Sequence, residues 1–165
     1  MTFGNTAGAI SFFGIFISSG TELSTVDDNH IANMDLQFHD PSNPNWYFFE
    51  GIFTAGGNVE VGTGQGNWIG SDTSTQSIVL HCFKSNSGFV GSSGINDQGS
   101  TSITIANNHI GGIAMDIQNA GSSGTVSLSG INAYLGGGNI HDNFIGAPGI
   151  PNSLEANYVD QDMEI

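Results

Sequence analysis

Residues Gly94 to Gly112 read GINDQGSTSITIANNHIGG. Two landmarks stand at the ends of this stretch, Gly94-Ile95 and Asn108-His109-Ile110, with the β-prone segment Ser102 to Ile105 between them. The same order occurs three more times. Gly-Ile steps lie at Gly14-Ile15, Gly51-Ile52, Gly94-Ile95 and Gly130-Ile131, spaced by 37, 43 and 36 residues. Asn-x-Ile steps lie at Asn29-His30-Ile31, Asn67-Trp68-Ile69, Asn108-His109-Ile110 and Asn143-Phe144-Ile145, spaced by 38, 41 and 35. Two landmarks that keep one order and nearly one period mark an internal repeat.

The segments around the landmarks match as well. After the Asn-x-Ile step the first repeat reads Ile31, Met34, Leu36, Phe38, and the third reads Ile110, Ile113, Met115, Ile117. The last three positions alternate with polar or small residues, the pattern of a half-buried strand. In the second repeat this alternation comes later, at Ile78, Leu80 and Cys82, so Gly70 to Ser77 reads as an inserted loop. A second strand precedes each Asn (Leu23 to Val26, Val59 to Val61, Ser102 to Ile105, Asn139 to Ile140). A third precedes each Gly-Ile (Ser11 to Phe13, Tyr47 to Phe49, Phe89-Val90, Val126 to Leu128). Turns of Gly, Ser, Asn and Pro separate them. The fourth repeat departs: Pro148 and Pro151 interrupt any strand, and the array is expected to end near Gly146. The remainder of the chain is expected to be irregular, with weak helical character at most in Asn152 to Ile165.

A unit of three short strands cannot bury its own apolar face. Stacked on its neighbours it can, with equivalent positions about 4.8 Å apart. The expected fold is therefore all-β: one domain, a parallel β-solenoid of about four coils. Its repeats span approximately 11–46, 47–88, 89–125 and 126–147, and 148–165 form a short acidic C-terminal tail. An antiparallel sandwich has the same composition but does not explain why the landmarks repeat in register. Whether each repeat makes one coil or two stays open.

Composition narrows the function. Of 165 residues one is Lys or Arg (Lys84) and 15 are Asp or Glu, giving a formal net charge of -14. No basic patch can meet a phosphate backbone, and anionic membrane surfaces repel the chain. The longest nearly apolar run, Ala7 to Ile17, is far short of the roughly 20 residues of a membrane span. It also lacks the basic start of a signal peptide, so the chain is expected to be mature, a fragment, or exported by a signal outside this sequence. Cys82 is the single cysteine, which excludes an intrachain disulfide and any Cys-based zinc cluster. No nucleic-acid partner and no membrane insertion are expected.

Glycine-isoleucine, a β-branched strand and then Asn-Asn-x-Ile-Gly resemble the right-handed parallel β-helix repeats of secreted bacterial surface proteins, pectate-lyase-like solenoids of the adhesin type. GNWIGSDTSTQSI (Gly66 to Ile78) is similar to repeats of exported proteins in gliding and gut bacteria. The resemblance covers Ser11 to Gly146 and implies a right-handed solenoid outside the cell. It says little about activity, because that fold hosts lyases, hydrolases, tailspikes and adhesins alike. Pectate-lyase-like enzymes use Arg or Lys beside acidic or calcium-binding residues, and this chain has no Arg.

Three sets of residues are candidates for a role. Asn29, Asn67, Asn108 and Asn143 form one column, where stacked amides can donate to and accept from the next coil as a structural ladder. His30, Trp68, His109 and Phe144 are expected to point away from the Ile core as a contact column for sugar rings or another subunit. Phe12, Phe13 and Phe16 lie on an uncharged N-terminal strand that no Lys or Pro guards, an expected assembly edge. Glu50, Glu60, Asp72, Asp97, Asp116 and Asp142 are scattered carboxylates, and a stacked pair such as Asp97 with Glu60 would suit a glycosidase. No G-x-S-x-G elbow and no D-x-[DN]-x-[DN]-G loop occurs. The excess of acid makes calcium the one candidate ion, with no certain cofactor.

The expected function is structural: an extracellular adhesin module or a self-assembling envelope sheath or filament subunit, homo-oligomeric through β-edges. The alternative is a glycan-binding module or a glycoside hydrolase on a β-helix. Catalysis is not expected.

Overall fold

The computed structural model describes residues 2–3, 10–18, 20–39, 47–83, 89–118, 125–133 and 137–159. Lys84 and the acidic residues Asp160, Asp162 and Glu164 fall outside them. Strand β1 (Thr2–Phe3) comes first. The first coil is then β2 (Ile10–Ile17), β3 (Leu23–Val26), β4 (His30–Ile31) and β5 (Met34–His39). The second is β6 (Tyr47–Thr54), β7 (Asn58–Val61), β8 (Trp68–Gly70) and β9 (Ile78–Phe83). The third is β10 (Phe89–Asp97), β11 (Ser102–Ala106), β12 (His109–Gly111) and β13 (Ile113–Gln118). The fourth is β14 (Thr125–Ala133), β15 (Gly137–His141), β16 (Phe144–Ile145) and β17 (Leu154–Val159).

These strands stack into four sheets: a first of β2-β6-β10-β14, a second of β3-β7-β11-β15, a third of β4-β8-β12-β16 and a fourth of β1-β5-β9-β13-β17. Every pairing in the four sheets is parallel. The fold is a parallel β-solenoid. Each repeat makes one coil of four strands, because the Asn-x-Ile step is itself a short strand in its own sheet. Gly70 to Ser77 does carry an excursion, closed by Ser71 N–H and Ser77 N–H on the carbonyls of Gly111 and Gly112. No helix among the described residues is long and apolar enough to cross a membrane.

The C-terminal stretch corrects the expectation of an irregular or weakly helical tail after Gly146. Among the described residues after Gly146 the turn through Pro148 and Pro151 is irregular, and Leu154–Val159 adds a fifth strand to the fourth sheet. Its register sets Leu154 on Ile113 and Ala156 on Met115. The prolines fall between strands, where no ladder hydrogen bond is lost.

The interior is a set of single-residue columns. Ile31, Ile69, Ile110 and Ile145 pair in register, as do Ile15, Ile52, Ile95 and Ile131. Ile52, Ile95 and Ile110 are fully buried. The two columns meet across the coil. A Cβ built on Gly14, Gly51, Gly94 or Gly130 would lie 2.9, 2.8, 2.5 or 2.6 Å from the side chain of Ile31, Ile69, Ile110 or Ile145 respectively. Glycine at the Gly-Ile step thus leaves the space that the Ile of the Asn-x-Ile step fills in the same coil.

Ile110→Ala should lower unfolding stability by about 2–5 kcal/mol, and Gly94→Ala by about 1–3 kcal/mol from overpacking. Because both changes act on one contact, the double variant should lose less than the sum of the two. Chemical denaturation measures all three, and strict additivity would mean that the two residues do not touch.

Candidate functional site

The turn between the second and third sheets holds the asparagine column. Each Asn Nδ2 donates to the Oδ1 of the Asn one coil on: Asn29 to Asn67 at 2.9 Å, Asn67 to Asn108 at 2.8 Å and Asn108 to Asn143 at 2.9 Å. The backbone N–H of each donates to the same oxygen. Each Nδ2 past the first also donates back to the previous coil, to the carbonyls of Val26, Val61 and Ile105. The column is therefore directional. Asn67 and Asn108 are fully buried and have every side-chain polar atom engaged in this way.

A second column supports it. The residues before the four asparagines are Asp28, Gly66, Asn107 and Asp142, with φ of 56°, 82°, 57° and 54°. That left-handed conformation favours Gly, Asn and Asp, and these residue types were the overlooked signal for the turn. Asp27 caps the next turn, accepting from Gln65 N–H and Gly66 N–H. The Gln65 N–H above all, with Gly66 adding to it, holds the Asp27 carboxyl below its ordinary range. Asn108→Ala should cost about 1–3 kcal/mol, since it strips partners from the buried Asn67 and the half-buried Asn143. Thermal melts of wild type and variant measure it.

The ring column runs beside the ladder in register, His30 on Trp68 on His109 on Phe144. Trp68 and His109 stack at 4.1 Å and 6°, and His109 and Phe144 at 5.7 Å and 27°. His109 is thus stacked on both sides, by Trp68 and by Phe144. The excursion after β8 borders it: a cleft of about 400 Å³ lies among His30, Trp68, Asp28, Asp72 and Thr73. His30 and His109 are separated by Trp68, so they do not share an ion.

The three phenylalanines do not form one surface. Phe12 packs against the core and stacks on Phe49 at 5.9 Å. Phe13 and Phe16 face outward and cluster with Phe53 at 5.0 and 5.4 Å. Asp97 and Glu60 are not brought together either. Asp97 is wholly buried and accepts from Thr54 Oγ1 and Ser100 N–H. Glu60 alternates with the buried Val59 and Val61 and so faces outward, where Thr63 Oγ1 donates to it.

The outer face of the first sheet carries what residue patterns alone did not reveal. Here β6, β10 and β14 frame a cavity of about 500 Å³. Phe48 and Phe89, with ring centroids 5.4 Å apart, form one wall. Glu50 lies two residues along β6 from Phe48 on the same face, 5% exposed. Asn96 Nδ2 donates to Glu50 Oε1 at 2.6 Å, and Asn132 Nδ2 donates to Asn96 Oδ1 at 3.2 Å. Glu50 Oε2 is buried and has no partner. Burial raises the Glu50 carboxyl above its ordinary range, against the smaller opposing effect of the Asn96 bond. Glu50 is the one carboxylate among the described residues lining this cavity. Among the described lining residues no second carboxyl pairs with it in the way glycosidases pair two across a scissile bond.

Elsewhere, His81 sits between Asp35 and Asp116 at 3.6 and 3.3 Å. Burial, then the Asp116 charge, pushes the Cys82 thiol up to about 12, so it is not a nucleophile at neutral pH. Among the described residues no three His, Cys, Asp or Glu side chains gather as a metal site. No family model, curated protein or solved structure matches the chain.

A raised carboxyl in the folded state means that the native protein binds its proton more tightly than the unfolded chain does. The stability contributed by Glu50 is thus fully present below the ordinary value of about 4.3 and is lost as pH rises through the raised one. Glu50→Gln keeps an acceptor for Asn96 and removes the titration. It should be more stable than wild type at pH 7, with the difference vanishing toward pH 4. Denaturation midpoints across that range test the sign.

Proposed function

We propose that this chain is a structural β-solenoid that acts outside the cell by stacking end to end with copies of itself, as a subunit of a sheath or filament. The supporting observation is where apolar surface lies open. The exposed large apolar side chains among the described residues are Phe16 and Leu23, on β2 and β3, and Ile140, Phe144 and Ile145, on β15 and β16. All are on strands that bound the stack in their sheets. Ile145 is 51% exposed, whereas Ile110, one coil inward in the same column, is fully buried. A further coil from another copy would bury the Ile145 face as β16 buries Ile110.

The ends are complementary rather than alike. Among the described residues Asn29 Oδ1 accepts no hydrogen bond, while Asn143 N–H finds no acceptor. Head-to-tail stacking presents that donor to that acceptor and continues the parallel strands. Head-to-head stacking does neither. A heterologous contact of this kind propagates.

One element competes. The fourth sheet has five strands and the others have four. When three sheets stack in register, β1 of one copy and β17 of the next claim the same rung. β1 pairs over two residues and β17 over six, so β1 is the strand that yields. A charge of -14 on each copy opposes contact. Screening within about 8 Å at physiological salt does not remove repulsion at touching surfaces. Calcium acts here as a counter-ion to the carboxylates. The extracellular role is further supported by a surface of Ser, Thr and Asn with almost no Lys or Arg, and by the repeat's resemblance to secreted bacterial surface β-helices.

Sedimentation velocity should show open-ended oligomers that grow with added calcium or below about pH 4 and shrink with chelator. Ile145→Lys should abolish them. Removing the first nine residues, which takes away β1, should favour them. A strict monomer in every condition, including the shortened chain, would reject the reading.

A further inference from the structure

We propose that the cavity on the outer face of the first sheet binds a neutral sugar residue of a glycan. This rests on that cavity alone and not on the contacts at the solenoid ends. The cavity has the two surfaces that a pyranose ring requires. One is apolar: Phe48 and Phe89, tilted by 35° to each other, stand beside Gly91. A Cβ at Gly91 would lie 2.5 Å from the Phe89 ring and 3.3 Å from that of Phe48. The absent side chain is what lets the rings lie against the strand. Both rings line the cavity, where they can meet the C–H groups of a sugar.

The other surface is polar and fixed. Register places Ser93 beside Glu50 and Asn132 beside Asn96. The chain of bonds from Asn132 through Asn96 to Glu50 Oε1 holds the carboxyl in one orientation. That leaves Oε2 buried and unpaired. An unpaired buried oxygen is costly unless a ligand completes it. A sugar hydroxyl can do so from either side, donating to the carboxylate or accepting from the protonated acid.

Charge selects the ligand class. No Lys, Arg or His is among the described residues lining the cavity, and Glu50 with a chain charge of -14 disfavours uronates and phosphates. The upward shift of the Glu50 carboxyl weakens its hold on a cation, which again favours an uncharged polyol. The volume of about 500 Å³ is within the range of small-molecule sites.

The test uses the full chain with cellotetraose, mannotetraose and chitotetraose as neutral probes and tetragalacturonate as the acidic one. Binding is followed by saturation-transfer difference NMR and calorimetry. At least one neutral probe should saturate, with its ring C–H protons receiving the strongest transfer. Phe89→Ala should weaken that probe by about tenfold or more, given one lost stacking platform worth about 1.4 kcal/mol. Gly91→Val should abolish binding by driving a side chain into the rings. Its backbone lies outside the left-handed region, and its nearest contact is the far edge of a movable ring, so the fold should survive. Circular dichroism and melting curves confirm that each variant is folded, and Ser127→Ala, at an exposed position of the cavity lining, should also weaken binding and serves as a milder second probe if one is not. No saturable binding of any neutral probe, binding of the uronate alone, or neutral binding that is indifferent to the folded variants would each overturn the proposal.

Discussion

The structure depends on one contact repeated in every coil: the missing side chain of a glycine in the first sheet faces the isoleucine of the third. Gly94 and Ile110 show it most closely, with an added Cβ only 2.5 Å from the Ile side chain. The contact sets how near the two walls approach. It also explains why the Gly-Ile and Asn-x-Ile steps repeat in one order. They are opposite sides of the same cross-section, and a change in either opens a void or a clash in a core packed at near-crystal density.

The asparagine ladder then fixes the coils along the axis. Hydrophobic columns tolerate sliding, because apolar contact has no direction. Amide hydrogen bonds do not, because each buried donor must find its acceptor at one rung spacing. A polar column whose inner rungs, Asn67 and Asn108, are buried and fully satisfied therefore sets the register of coils whose lengths differ by several residues. Variation in length is pushed into excursions such as Ser71 to Ser77, outside the four sheets. The ladder's direction also makes the two ends of the solenoid chemically distinct.

With the interior so constrained, the outer faces are free to differ. On the first sheet the outward columns run from phenylalanine in the first coils (Phe13, Phe16, Phe53) to Ser93, Ser129, Asn96 and Asn132 in the later ones. Glu50 sits at the seam between them. Aromatic neighbours on one side and amides on the other leave its carboxyl buried but half-satisfied. On the third sheet the outward column is aromatic or imidazole in every coil, and Trp68, His109 and Phe144 stack on one another.

By itself, the sequence determined the architecture. Repeating landmarks and period-two alternation report which residues face inward, and a solenoid is little more than that rule stacked on itself. The asparagine column was legible for the same reason, since its residues recur at the period of the repeat. Tertiary structure decided three other things. It made Leu154–Val159 a strand, because a neighbouring rung offered an edge that local propensity and the two prolines did not foretell. It sent Phe12 into the core and Phe13 outward against Phe53. It also joined Glu50, Phe89, Asn96 and Asn132 across three coils into one cavity. No periodicity marks these four as a group, because a site on an outer wall is built from residues in which the coils differ, and only stacking brings those differences into contact.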